Sequence, residues 1–227
     1  VLYGRKGGRE YYSPTDNYSI TTYAYAQLSK QENSSELKAL CAELLRYGAK
    51  AQIFKGYRTD VLADRSMTEA QKLLLSDLSA VTFGMNNRVL PEIANPKATW
   101  VGKALILDSK VTVRYVVDIT DPSVSAENLT LRIRYTDYNG VEQEAVVKNA
   151  QPYGTEAGHY SFGFDGLLAA ELRTILYTAV YIDETQVSDT LIYSVDTYGA
   201  NTTGTLGELC RALMAYSDRA KEYFMAN

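Results

Sequence analysis

Hydrophobic positions near both ends of the chain recur at helical spacing. Residues 37–54 place apolar side chains three and four positions apart, which aligns them along one face of a helix. Residues 206–223 repeat this face at an offset of 169. The identical pairs are Leu37/Leu206, Leu40/Leu209, Cys41/Cys210, Leu44/Leu213, Tyr47/Tyr216 and Ala51/Ala220. The sequence therefore predicts two amphipathic helices with the same buried face.

Short β-branched and aromatic segments precede both helices. Tyr18–Tyr23 reads YSITTY, and Tyr193–Tyr198 reads YSVDTY. Such a segment, leading through polar residues into a helix, is typical of a strand that ends just before the helix begins. The repeated unit is therefore predicted to be a strand end followed by a helix.

Another helix is predicted at residues 66–84, which read SMTEAQKLLLSDLSAVTFG. Ser66 or Thr68 can cap its first turn. The negative charge of Glu69 in that turn interacts favourably with the positive end of the helix dipole. Gly84 is a suitable stop. The N-terminal third is thus predicted to be mainly helical.

From Trp100 the hydrophobic period changes from helical to two, which predicts β-strands. One predicted inward face carries Val111, Val113, Tyr115, Val117 and Ile119, and the next carries Leu129, Leu131, Ile133 and Tyr135. Asn139–Gly140 predicts a two-residue hairpin turn between this strand and the following one. Residues 159–164, 173–182 and 187–195 are also strand-like. About seven short strands at this density are typical of an immunoglobulin-like or fibronectin-like sandwich.

The predicted fold class is α+β, with helices layered against that sandwich. We expect a mainly helical region at residues 1–95, an immunoglobulin-like sandwich at residues 96–198, and a C-terminal helix at residues 199–227. Each of the two amphipathic helices must bury its apolar face against another element of the fold. The C-terminal helix is therefore expected to pack with the N-terminal helices.

Composition narrows the functional classes. Of the 227 residues, 46% are hydrophobic and 22% are charged, as in ordinary globular proteins. The formal charge is -4, and the basic residues are spread along the chain, which does not favour a nucleic-acid partner. No apolar run approaches the roughly 18 residues that span a bilayer, so no membrane insertion is expected.

Several segments resemble a module of large secreted or cell-surface proteins of gut Firmicutes. They are the two tyrosine-bounded segments with their helices, GYRTDVLAD at 56–64, LSAVTFG at 78–84 and WVGKALILDSKVTVRYVV at 100–117. The family often reads YSV..YA...ALVKAMLNYGAAAQ.YFGYNTD, and the correspondence runs from about Tyr18 to Phe224.

The resemblance implies a secreted or cell-surface location beside other modules of one multimodular protein. It carries no established activity or catalytic residues. A non-catalytic structural or interaction module is therefore expected, with no cofactor and with polysaccharide as a candidate partner. Two interpretations of the first helix stay open: it belongs to an upstream module, or it is the permanent partner of the second helix.

Cys41 and Cys210 occupy equivalent helix positions. A disulfide requires a close crossing of the two helices. The alternative is two buried free thiols that act as small hydrophobic side chains.

His159 is the sole histidine. A lone histidine cannot build a histidine-rich metal site, although a Ser-His-Asp arrangement would need just one, which keeps a glycan-active hydrolase as a third functional class. Asp118, Asp121 and Asp137 near loops could ligate calcium, or could be solvated turn residues. No metal site is predicted.

Nineteen tyrosines make surface rings the main candidate binding residues. Tyr177 and Tyr181 are expected on one strand face opposite Leu176 and Val180, where they could stack on sugar rings. The alternative is that a helical layer covers both rings. Tyr138 and Tyr153 are predicted in loops, and the four tyrosines together form the candidate glycan platform of a carbohydrate-binding module.

Overall fold

The computed structural model describes residues 3–6, 9–12, 19–108, 110–121, 123–148 and 150–227. The helices are α1 (Ile20–Ser29), α2 (Ser35–Lys55), α3 (Glu69–Lys72) and α4 (Gly204–Ala226). The strands are β1 (Tyr3–Lys6), β2 (Arg9–Tyr12), β3 (Asn87–Leu90), β4 (Ala98–Leu107), β5 (Val111–Ile119), β6 (Leu129–Thr136), β7 (Glu142–Val147), β8 (Gln151–Pro152), β9 (His159–Phe164), β10 (Leu176–Ile182), β11 (Thr185–Gln186) and β12 (Thr190–Tyr193). Short 3₁₀ segments lie at Leu78–Ala80, Ala126–Asn128, Ala169–Glu171 and Val195–Asn201.

Two antiparallel sheets form the centre of the molecule. One has the strand order β3-β12-β10-β6-β7, with β11 paired to β10, and the other has the order β4-β5-β9-β8. β1 and β2 pair antiparallel in a two-stranded sheet of their own. The chain is therefore a mixed protein of helices and antiparallel sheets, which agrees with the predicted α+β class.

The facing sides of the two sheets share one hydrophobic core. The predicted inward side chains of β5 and β6 lie in it, because residues two apart on a strand point to the same face. Six of these residues are completely buried: Val113, Tyr115, Val117, Leu129, Leu131 and Ile133. The period-two pattern is confirmed on both strands.

The hairpin between β6 and β7 differs in its turn. Residues 137–141 separate the strands, and within the turn Gly140 alone has positive φ, at 83°. A two-residue type I′ turn needs positive φ at both central positions, and Asn139 does not provide it. The predicted two-residue turn is wrong, although the hairpin itself is present.

The long helices α2 and α4 confirm the helical periodicity at both ends of the chain. Ser34 accepts a hydrogen bond from the Leu37 backbone N–H and so begins α2, and Gly56 ends the helix at φ 63°. Helices commonly stop at a left-handed glycine, which bears no Cβ.

The predicted strand at Tyr18–Tyr23 is wrong where the structure describes it, because residues 20–23 are the first turn of α1. Tyr18 lies outside the described residues. The Ser19 hydroxyl accepts from the Thr22 backbone N–H at 3.0 Å, and the Ser19 N–H donates to the Thr22 hydroxyl at 2.8 Å. This reciprocal cap stabilises a helix start in spite of the β-branched residues. The second copy does end a strand, at Tyr193.

The long helix predicted at residues 66–84 is also wrong. Thr68 caps a helix as expected, but α3 has four residues. Beyond it, the Ser76 backbone N–H donates to the Glu43 carboxylate at 2.7 Å, and the Ser76 carbonyl accepts from Arg46 at 2.7 Å. These bonds hold the segment against α2 in a non-helical conformation.

The repeated helices α2 and α4 pack against each other. The Tyr47 and Tyr216 rings stack with centroids 6.0 Å apart and an interplanar angle of 8°. Lys50 pairs with Glu208 at 2.6 Å. Cys41 precedes Lys50 on α2, but it lies near Tyr216, which follows Glu208 on α4. The helices therefore run antiparallel, and the stacked rings occupy equivalent positions of the repeat.

The helix pair is joined to the sheets through α4, because Leu213 and Met214 belong to the main core. On its other side α2 shares a second cluster with α1, which is centred on Ala24, Leu45 and Met67. No helix within the described ranges is long and apolar enough to cross a bilayer.

Candidate functional site

Two of the four candidate tyrosines line one surface groove, of about 480 Å³, beside the C-terminal half of α4. We call it the α4 groove. The turn after β6 contributes Asp137 and Tyr138, the segment into β10 contributes Arg173 and Tyr177, and α4 contributes Asp218 and Lys221. Its volume lies in the range usual for small-ligand sites.

Tyr177 faces the groove because of the strand alternation on β10. Its neighbours Leu176 and Thr178 are buried at 0% exposure and point into the core, while Tyr177 is 40% exposed. Its cross-strand partner on β6 is Arg134. The helical layer therefore does not cover this ring.

Tyr138 reaches the groove from the β6–β7 turn. Its ring centroid lies 5.7 Å from that of Phe224 in the last turn of α4, and Phe224 is 44% exposed. Aromatic rings at this separation stabilise the fold by more than the burial of their apolar area alone. The contact brings the turn and the helix end together at one side of the groove.

Asp137 fixes the conformation of this turn. Its carboxylate accepts hydrogen bonds from the backbone N–H groups of Asn139 and Val141, both at 2.9 Å, and from the Gln143 amide at 2.9 Å. The bond from the Val141 N–H is the main reason that the pKa of Asp137 lies below its ordinary value. The turn that carries Tyr138 is thus braced by its own aspartate.

Arg173 braces the base of the groove. Its Nε and Nη2 donate to the two Asp218 oxygens at 2.6 and 2.8 Å, and its Nη1 donates to the Thr82 carbonyl at 2.9 Å. Nη1 also lies 3.4 Å from Asp196, whose side chain is 7% exposed. The hydrogen bond to Asp218 is the main cause of the raised pKa of Arg173.

Tyr181 and Tyr153 lie away from the α4 groove. Tyr181 shares the outer face of β10 with Tyr177, but its ring is covered by the Arg132 guanidinium at 4.5 Å, and its hydroxyl donates to Gln186 at 3.1 Å. Tyr153 follows β8 in the other sheet, 40% exposed. The structure therefore assembles Tyr177 with Tyr138 rather than with Tyr181.

Cys41 and Cys210 are free and buried, so the disulfide alternative is wrong for this structure. Burial is the main cause of the raised pKa of both thiols. They remain protonated at neutral pH and pack as small hydrophobic groups.

His159 lies beside carboxylates. Its Nε2 is 3.3 Å from Glu156 and 4.0 Å from Asp118, and no serine hydrogen bond to it is found in the described part of the chain. Asp121 instead accepts from the Ser123 N–H and hydroxyl, as an ordinary turn residue does. Among the described residues, no group of three or more histidine, cysteine or acidic side chains could hold a metal ion.

Sequence reasoning did not find Arg173, Asp218 or Lys221. Asp218 and Lys221 are three residues apart on α4, so they share one helix face, but nothing in the sequence marks that face as lying beside Tyr177. The bidentate bond between residues 45 positions apart is visible in the tertiary structure alone.

The chain is a mixed helix and antiparallel-sheet protein, and the α4 groove is a braced, partly aromatic surface groove of ligand-binding size. Comparison of the chain with protein-family models, with curated proteins and with solved structures finds no match in any of them.

Acid is expected to weaken the β6–β7 turn. Since the folded-state pKa of Asp137 is lowered, its contribution to stability is present above the ordinary pKa and lost as the pH falls through the folded value. We expect Asp137→Asn to be less stable than the wild type at pH 7, with the difference shrinking as the pH falls below the ordinary pKa of an aspartate. Urea unfolding at neutral pH and in acid measures this, and an unchanged difference would contradict the expectation.

Proposed function

We propose that the chain is a non-catalytic structural or interaction module of a secreted bacterial cell-surface protein. In this proposal it belongs to the kind of sandwich-plus-helix module that gut Firmicutes carry, and its partners are the other modules of the same polypeptide. The packing of the repeated helices α2 and α4 is the observation that carries the proposal.

The helix pair supports a modular origin because equivalent residues of the two copies meet. Tyr47 stacks on Tyr216, Cys210 lies near Tyr47, and Cys41 lies near Tyr216. These contacts approximate a twofold axis, as when two copies of one unit pair through the same surface. A helix repeated along an array of modules would meet its own copies in this way.

The sheets support an immunoglobulin-like sandwich as the module's centre. Successive strands alternate in pairs between the two sheets, giving β4-β5-β9-β8 in one and β12-β10-β6-β7 in the other. Immunoglobulin domains have this order, with strands A, B, E and D in one sheet and G, F, C and C′ in the other. β3 extends the second sheet beside β12.

Antibodies raised against the purified chain test the location and the modular context. We expect them to label intact cells of the source organism, and to detect on blots a polypeptide much larger than the 25.2 kDa of this chain. Treatment of intact cells with protease should remove the signal, while a cytosolic control protein stays intact. A signal confined to the cytosol at the size of this chain would contradict the proposal.

A carbohydrate-binding module is the second candidate, and the joint position of Tyr138 and Tyr177 in the α4 groove favours it. Tyrosine rings present an apolar face and a polar hydroxyl, which suits the mixed surface of a sugar. A glycan array and a polysaccharide pull-down test this candidate. Retention of any plant, mucin or bacterial glycan supports it, and failure to retain any of them would remove it.

A further inference from the structure

We propose that the α4 groove binds a neutral saccharide, with Tyr138 and Tyr177 as apolar platforms and Asp218 and Lys221 as hydrogen-bonding groups. This inference depends on the carbohydrate-binding candidate above and adds its site and the charge class of its ligand.

The charges of the α4 groove determine the ligand class. Asp137, Arg173, Asp218 and Lys221 line it, which gives two groups of each sign. Arg173 and Asp218 neutralise each other through two hydrogen bonds. An anionic or cationic ligand thus gains little from the summed field of the lining residues, whereas a neutral ligand loses nothing by its lack of charge.

The same groups provide hydrogen-bonding positions for hydroxyls. Asp218 is 44% exposed, and each of its oxygens accepts one bond from Arg173. A carboxylate offers about four acceptor positions, so two remain for hydroxyl donors of a ligand. The exposed Lys221 ammonium adds donors, since no hydrogen bond or ion pair engages it within the described ranges, and hydrogen bonds to charged groups are the stronger ones.

The apolar surface of the groove comes from the Tyr138 and Tyr177 rings together with the aliphatic Ile175. Tyr177 is 40% exposed, and Tyr138 packs against the partly exposed Phe224. A flat ring fits the C–H face of a pyranose, whose hydroxyls then project sideways to polar neighbours. A purely apolar ligand would leave Asp218 and Lys221 desolvated without partners, which is costly.

The α4 groove is preformed. The Asp137 hydrogen bonds fix the turn that carries Tyr138, and the Arg173–Asp218 pair joins the segment before β10 to α4. Rigid binding groups lose less conformational entropy when a ligand binds. The groove can therefore hold a weakly interacting neutral ligand without first reorganising.

The test uses soluble oligosaccharides of equal length and opposite charge class. Cellohexaose, xylohexaose and mannohexaose are the neutral probes, and hexagalacturonate is the acidic one, each titrated into the full chain by calorimetry at low and high salt. We expect at least one neutral probe to bind with an affinity that salt leaves unchanged. We also expect hexagalacturonate to bind at least tenfold more weakly than that probe.

Tyr177→Ala is expected to weaken binding at least tenfold, and Tyr177→Phe to retain most of it because the ring stays. Tyr153→Ala is the matched control, since Tyr153 has the same 40% exposure but lies outside the groove. Thermal unfolding of each variant establishes that it is folded.

Each remaining outcome overturns the inference in a distinguishable way. Salt-dependent binding of hexagalacturonate alone removes the neutral ligand class and keeps the carbohydrate-binding module. Neutral binding that survives Tyr177→Ala removes the groove and keeps the module. Binding of neither class, together with an empty glycan array, removes both the groove and the carbohydrate-binding candidate.

Discussion

Replacing Glu43 by alanine is expected to lower the free energy of unfolding by about 3 to 5 kcal/mol, because it leaves a buried charge without its partner. Glu43 is 0% exposed and pairs with Arg46 at 2.5 Å. The carboxylate also accepts from the Ser76 backbone N–H, so the substitution removes the tie between α2 and the segment after α3 as well.

Urea unfolding measures this loss, and Glu69→Ala is the matched control. Glu69 pairs with Lys72 at the same three-residue spacing, but its side chain is 90% exposed, so its loss should change stability by at most about 0.5 kcal/mol. Replacing Glu43 and Arg46 together by leucine should restore most of the stability, because no unpaired charge remains. Equal losses for Glu43→Ala and Glu69→Ala would show that burial of the pair has no consequence.

Leu213→Ala is expected to cost about 2 to 5 kcal/mol, the usual range for a buried leucine that leaves a cavity. Leu213 is 2% exposed and belongs to the core shared by the two sheets. Because it joins α4 to that core, we expect the helix signal and the aromatic signal from the sheets to be lost in one shifted transition.

Leu73→Ala is the control, since Leu73 is 86% exposed and its truncation should change stability by about 0.5 kcal/mol or less. Denaturation followed by circular dichroism and by near-ultraviolet absorbance measures both variants. Two separate transitions in the wild type, or a loss for Leu213→Ala no larger than for Leu73→Ala, would mean that α4 is not part of the sheet core.

Periodicity predicted the parts of the fold that depend on one buried face. The alternation of Val113, Tyr115 and Val117 placed β5 correctly, and the spacing of Leu206 to Ala220 placed α4, because burial imposes a period of two on a strand and of 3.6 on a helix. In each case the local pattern and the tertiary burial agree.

Capping and tertiary hydrogen bonds decided the segments that the sequence misplaced. At Ile20–Tyr23 the reciprocal bonds of Ser19 and Thr22 outweigh the strand preference of the β-branched residues. After α3, the contacts of Ser76 with Glu43 and Arg46 stop a helix that the apolar pattern allows. The pattern of hydrophobic positions records neither competitor, because the first is a polar cap between residues three apart and the second is a tertiary contact.

The sequence predicted the exposure of the candidate tyrosines but not which of them come together, because their convergence depends on tertiary structure. Strand alternation and turn position identified Tyr177 and Tyr138 as surface rings, but their convergence depends on how α4 crosses the end of the sheet. Tyr181 satisfied the same alternation and is nevertheless covered by Arg132. Exposure on a strand face therefore does not specify which rings share one groove.

The antiparallel pairing of α2 and α4 has a mechanical consequence. The N-terminal end of α2 and the C-terminal end of α4 lie at the same end of the pair, since Cys41 meets Tyr216 there and Lys50 meets Glu208 toward the other end. A force applied between the N-terminal end of α2 and the C-terminal end of α4 would therefore act at one end of the pair. It would separate the helices contact by contact instead of sliding one along the other.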